Sequence, residues 1–203
     1  MTKAQIFNLA LQALLLQRQI SDADTDGSNE AKVLRTNWDV ALATALADMD
    51  LDSTSTQADL VLIQEDPNDL WGYSYTYPTD CVHFRRLQSS AVMDNEATHI
   101  DKAIRIKSGV KCIFTNQEDA IIEYISKNVP LTTLSSAAGY CVALKLAKMA
   151  APLITGKGAS KLIEQLNNAY VVAKAEAQEN DQIENFVYID PLQQSSWARE
   201  RTE

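Results

Sequence analysis

Asp22, Asp24 and Asp26 stand at every second position and Gly27 follows them, as at the start of an EF-hand calcium loop. The chemistry would be a hard cation ringed by carboxylate oxygens and closed by a bidentate Glu at loop position twelve. Position twelve here is Val33, which has no oxygen to give, and position eight, normally apolar, is Asn29. DADTDG therefore reads as a turn-prone acidic connection, with Asp26 or Ser28 placed to cap the helix after it. No metal is expected there.

Cys81 and His83 are the next pair. Two apart on a strand, they would point to the same side of a sheet, where a thiolate and an imidazole make a nucleophile and its base. No glycine-rich turn or helix start flanks them to supply an oxyanion site, so they read as a half-buried Cys and a surface His. His99 falls in a turn-rich stretch. TGKG at residues 155–158 hints at phosphate, but it follows a helix and lacks the Walker spacing, so it reads as a helix stop. Neighbouring carboxylates, Glu65 with Asp66 and Glu118 with Asp119, are unremarkable in an acidic chain. Arg85 and Arg86 could meet phosphate or an acidic partner, and otherwise read as a salt-bridged surface pair. No GxGxxG, GxSxG or HExxH occurs. The expectation is a protein without catalytic residues or cofactor.

The 203 residues fit one domain with an appendage, and 18 Lys plus Arg against 27 Asp plus Glu give a net charge of −9, with no long run of one sign. Such a surface repels nucleic acid unless a local basic patch overrides it. Cys81, Cys112 and Cys141 are too scattered for a zinc site or disulfide framework, which suits a reducing compartment. The N-terminal stretch, broken by Gln5, Asn8 and Gln12, reads as neither signal peptide nor membrane span.

Positioning these residues falls to elements that the periodicity outlines. Ile6, Leu9, Ala10, Ala13 and Leu16 form a helical stripe, and Leu34, Trp38, Ala41, Leu42, Ala45 and Met49 form a second from about Ser28 to Met49. From Leu51 to Pro130 the period becomes two. WGYSYTYP, CVHFRRL, KCIFT and AIIEYIS read as strands of one small antiparallel sheet. A nearly all-apolar helix follows Ser135. A fourth, with Leu162, Ile163, Leu166, Ala169, Tyr170 and Ala173 on one face, follows Gly158. The reading is a mainly α fold: a four-helix bundle over residues 1–180, a small β insertion at about 58–128, and an extended C-terminal tail over 181–203. Phe186, Tyr188 and Trp197 in that polar tail suggest a partner that receives them.

The ordered set NEAKVLRTNWDVALATAL, WGYSYTYPTDCVHFRRL, IIEYISKNVPLTTLSSAAGYCVALKLAKMAAPLI and KLIEQLNNAYVVAKAEAQENDQ resembles the head-to-tail connector, or adaptor, proteins of short-tailed bacteriophages, the tail tubular protein A family. ADMDLDST departs from the pattern, since relatives more often carry a Trp and a Phe there, and the match beyond Asn180 is loose.

The resemblance implies a virion protein of the head-to-tail interface, assembled in the host cytoplasm as a ring of commonly twelve copies under the portal. The ring completes the head, offers a platform to the tail proteins (nozzle or tail tube), and encloses a channel for double-stranded DNA. Neither a membrane nor sequence-specific DNA binding enters. Phe186, Tyr188, Ile189, Trp197 and Arg199 would anchor the tail on the portal. Trp71, Tyr73, Tyr75, Arg85 and Arg86 would meet neighbouring subunits or the phage tail. Acidic channel walls would keep DNA phosphates from sticking. The alternatives are a peptidoglycan-degrading virion hydrolase using a carboxylate pair, and a calcium-binding module on Asp22, Asp24 and Asp26.

Overall fold

Residues 1–68, 70–89, 100–156 and 159–184 are described by the computed structural model. Thr2 opens helix α1 (Lys3–Ala13) with a capping box: its hydroxyl accepts the Gln5 amide, and the Gln5 side chain accepts the Thr2 amide. Ile6, Phe7, Ala10 and Leu11 turn inward. The helix stops short of Leu16 because Leu15 adopts a positive φ of 62°. The connection then folds back, and Asn8 holds both the amide and the carbonyl of Ile20.

Ser28 caps α2 (Asn29–Met49) by accepting the Ala31 amide, and the expected stripe, Leu34 to Met49, is buried. Ser135 does the same for α3 (Ser136–Thr155), accepting the Ala138 amide. α3 touches α1, α2 and α4 (Ala159–Glu184) alike. This explains why it is apolar all round. It is long and apolar enough to cross a membrane, but 56% of that apolar window is buried inside the protein, so its composition is that of a core helix.

Asp48 knits three of the helices together. Its carboxylate takes hydrogen bonds from Lys145 of α3 and, at 3.2 Å, from the Tyr170 hydroxyl of α4. Burial works to raise its pKa, but Lys145, Tyr170 and Lys174 outweigh it and hold the carboxyl below its ordinary 3.8. The stability this adds is complete above that ordinary value and is lost as pH falls through the depressed folded one. The side chain is 41% exposed, so water screens the pair and the contribution stays below about 1 kcal/mol. Asp48→Asn is expected to flatten the acid limb of a stability–pH curve while changing stability at neutral pH only slightly. An acid limb identical to that of the parent protein would count against this assignment.

The middle of the chain departs from expectation. Its described residues hold seven strands: β1 (Ser55–Asp59), β2 (Leu62–Asn68), β3 (Trp71–Thr76), β4 (Cys81–Ser89), β5 (Lys102–Lys107), β6 (Val110–Thr115) and β7 (Ala120–Ser126). They form two antiparallel sheets, ordered β1-β7-β4 and β2-β3-β6-β5. The expectation of a mainly α four-helix bundle with one small β insertion is therefore overturned. Among the described residues there are four helices and two sheets, 27% of them are in strands, and the strands make the central mass with helices at the ends.

The sheets earn that place by having a core of their own. Tyr75 and Ile113 of one sheet meet Leu87, Ile122 and Tyr124 of the other. β7 lies between β1 and β4 and is buried on both sides. Ile122 and Tyr124 face this second core, while Ile125, one residue out of phase, joins the helical core. Each fully buried Ile is worth about 1.5–3 kcal/mol, so β7 is the strand that joins the two cores. The four-stranded sheet is strongly coiled: Lys107 on β5 reaches Gln64 on β2 at 2.9 Å, across the full width of the sheet.

Candidate functional site

Where α2 ends, Asp50 takes a left-handed conformation at φ 50°, and a short 3-10 turn, Asp52–Thr54, leads into β1. This junction lies against Arg85 on β4. The Arg85 guanidinium donates to the Asp50 carboxylate and to the Asp50 carbonyl, both at 2.8 Å, to Asp52, and to Glu123 at 3.3 Å. Arg86 at 2.8 Å and Gln88 at 3.0 Å bind the other oxygen of Glu123. Burial works against the charge on Arg85, and the carboxylates more than offset it, raising its pKa. α4 closes the group: Asp181 accepts the backbone amides of Asp52 at 2.6 Å and Ser53 at 3.0 Å, and Gln178 bonds the Met49 carbonyl.

Among the described residues this assembly gathers the most ion pairs, and its chemistry is that of a clasp. Every acid has a donor on a different element, so the group ties α2, β4, β7 and α4 together. Arg85 and Arg86 are ion-paired within the chain, though the Arg86 side chain keeps 53% exposure. Sequence reasoning passed over Glu123, Asp50, Asp52 and Asp181. The one legible signal was Glu123 itself, a single acid inside the apolar strand AIIEYIS.

The Cys81–His83 pair does not form. A register irregularity separates the two residues in the β4–β7 ladder, which breaks the period-two rule. Cys81 packs with the second core, its sulfur 3.1 Å from the Tyr77 hydroxyl, while the His83 imidazole lies 3.8 Å from Asp50. Burial raises the Cys81 thiol pKa and pushes that of Cys141 up to about 11. Alkylation by iodoacetamide near pH 8 is expected to run at least about tenfold slower in the native protein than in urea. Rapid native labelling of Cys81 would restore it as a nucleophile.

The other candidates are scattered. Asp22 accepts the Asp24 amide and the Thr25 hydroxyl, Asp26 accepts the Ser28 amide, and Asp24 pairs with Lys3. These bonds lower the pKa values of Asp22 and Asp26, first through Thr25 and Ser28 respectively. Arg35 clamps the loop through the carbonyls of Ala23 and Asp26. No group of three or more His, Cys, Asp or Glu side chains among the described residues could hold a metal. Glu65, Asp66, Glu118 and Asp119 are exposed, and Asp66 borders the open hollow beside Trp71 rather than an enclosed apolar pocket that would suit an acid catalyst.

Tyr75 is buried, with its hydroxyl on the Gln117 carbonyl; Tyr73 stacks on it at 6.2 Å. Trp71 is half-buried and lines an open hollow with Asn68, Leu70 and Asn116. A cleft of about 340 Å³ beside β1 and β7 is rich in Ser and Thr hydroxyls, but its acid, Asp80, is already bonded by Tyr124 and Ser126. Among the described residues, no His, Lys or Cys lines it to activate those hydroxyls. His99, Lys157 and Gly158 of the TGKG stretch, and Phe186, Tyr188, Ile189, Trp197 and Arg199 lie outside the described residues. No family model matches the chain, and no curated protein matches it.

Proposed function

We propose that the chain is a structural head-to-tail connector of a short-tailed bacteriophage, a ring-forming adaptor seated beneath the portal that completes the head and gives the tail its platform. It carries out no reaction of its own. The observation that carries this reading is apolar surface left exposed on separate elements: Val61, Leu62 and Ile63 at β2, Ile106 and Val110 at the β5–β6 hairpin, and Val171 and Val172 on α4. A ring subunit needs a surface for each neighbour and another for its axial partner, and a chain with several such patches suits that role.

The internal charges agree with it, since Arg85, Glu123, Asp181 and Asp48 are spent on joining elements rather than on lining a reaction pocket. The ordered resemblance to the adaptor family supplies the partners: the portal above, tail proteins below, and DNA passing through the channel. Phe186, Tyr188, Ile189, Trp197 and Arg199 are the proposed portal anchors. The test is negative-stain electron microscopy of the protein mixed with its portal. A ring capping the portal is the expected result, and bare portals at saturating protein would refute the reading.

A further inference from the structure

No long run of adjacent like charges occurs, yet the net charge is concentrated in one acidic span. Residues 36–84 hold nine Asp or Glu and no Lys or Arg, and the rest of the chain balances, with 27 − 9 = 18 acids against 18 bases. Both open edges of the four-stranded sheet show the consequence. β2 carries Glu65 and Asp66, and residues 102–111, spanning β5 and the start of β6, carry Lys102, Arg105, Lys107 and Lys111 without an acid. Among the described residues, β2 pairs only with β3 and β5 only with β6.

Each edge is also apolar and uncovered. Leu62 and Ile63 on β2 are 45% and 47% exposed, and Ile104 and Ile106 on β5 are 39% and 77% exposed. Residues 62–66 of β2 and 104–107 of β5 are all exposed, so among the described residues no element packs on either face of these stretches. An open apolar edge is a template for another strand unless its charges forbid it. Like charges forbid β2 against β2 and β5 against β5. They favour one combination, β5 of one molecule on β2 of the next.

We infer that two copies of this chain join edge to edge, the basic β5 of one adding to the acidic β2 of the other, and that this is the contact by which subunits follow one another around the ring. The contact is heterologous, head to tail, so repeating it builds a ring or an open filament rather than a two-fold dimer. Pro67 cannot donate to a ladder and limits the paired part of β2 to the residues before it. So short a ladder buries less than a stable interface needs, which keeps copies apart until a template gathers them. The inference rests on the ring reading for its role and on the two edges for its chemistry.

Sedimentation velocity of the full chain at high concentration tests it. Weak self-association is expected in low salt, falling at least about tenfold in 0.5 M salt as the charges are screened. Arg105→Glu with Lys107→Glu makes the exposed 104–107 stretch of β5 acidic, like β2. Glu65→Lys with Asp66→Asn makes β2 basic, like β5, with asparagine chosen because residue 66 sits at a positive φ of 42°. Each variant alone is expected to lose the association and an equimolar mixture to regain it. Arg105→Glu alone, which leaves Lys107 bonded to Gln64, controls for damage to the hairpin and is expected to weaken association as well.

A wild-type protein that stays monomeric throughout, or an Arg105→Glu/Lys107→Glu variant that associates as wild type does, overturns the inference. Portal micrographs separate it from the connector reading. Rings formed equally well by that double variant would keep the connector and sink the edge contact. Charge-dependent association with no ring on any portal would do the reverse.

Discussion

Replacing Arg85 with alanine is expected to destabilise the protein by about 2–4 kcal/mol, below the full cost of breaking a buried ion pair because water screens Asp50 and Asp52, whose side chains are 43% and 60% exposed. The side chain is 14% exposed and stands between three carboxylates, Asp50, Asp52 and Glu123. Without it those acids face one another across the junction of α2, β4 and β7, and the Asp50 carbonyl also loses a donor. The partner substitution distinguishes charge from packing. Glu123→Gln keeps the shape and leaves Arg85 with Asp50 and Asp52, so it should cost less, about 1–3 kcal/mol. Urea unfolding followed by circular dichroism measures both. An Arg85→Ala loss below about 1 kcal/mol would place the cluster among exposed ion pairs, which contribute little, and would remove the clasp as an organising feature of the fold.

The clasp also shows where sequence patterning works and where it fails. α2 and α4 were legible because an apolar stripe recurs three and four residues apart, α3 because it is apolar nearly all round, and Ser28, one of the two residues expected to cap α2, does so. β7 was legible as an apolar run. β1, β2 and β5 were not: STQAD and LIQEDPN have no alternating buried side, since their residues are exposed or half-exposed on both faces, and Pro67 within β2 argues against a strand. With three strands unseen, two sheets with their own core read as one small insertion, and the fold class was misjudged. Period-two reasoning misplaced His83 for a related reason, because a ladder irregularity is invisible to spacing. The clasp residues come from positions 50, 52, 85, 123 and 181, and contacts that distant in sequence leave no local mark.

The C-terminal arm gives the larger functional effect, and the fold says where to cut. α4 runs through Asn180 to Glu184, so a boundary at 180 falls inside a helix and removes Asp181, which accepts the amides of Asp52 and Ser53. A chain ending at Asn180 should therefore lose about 1–3 kcal/mol of stability, and any loss of docking would be confounded with that damage. A chain ending at Glu184 keeps the clasp and removes Phe186, Tyr188, Ile189, Trp197 and Arg199 together. Truncating a buried aromatic anchor at an interface commonly costs 2 kcal/mol or more, so losing several should weaken portal binding by at least about 100-fold while leaving the unfolding midpoint unchanged. Pull-down on immobilised portal, run beside thermal unfolding of both truncations, reads the two effects separately. Should the chain ending at Glu184 hold the portal as firmly as the full-length protein does, residues 185–203 are no anchor, and the portal contact must lie within residues 1–184.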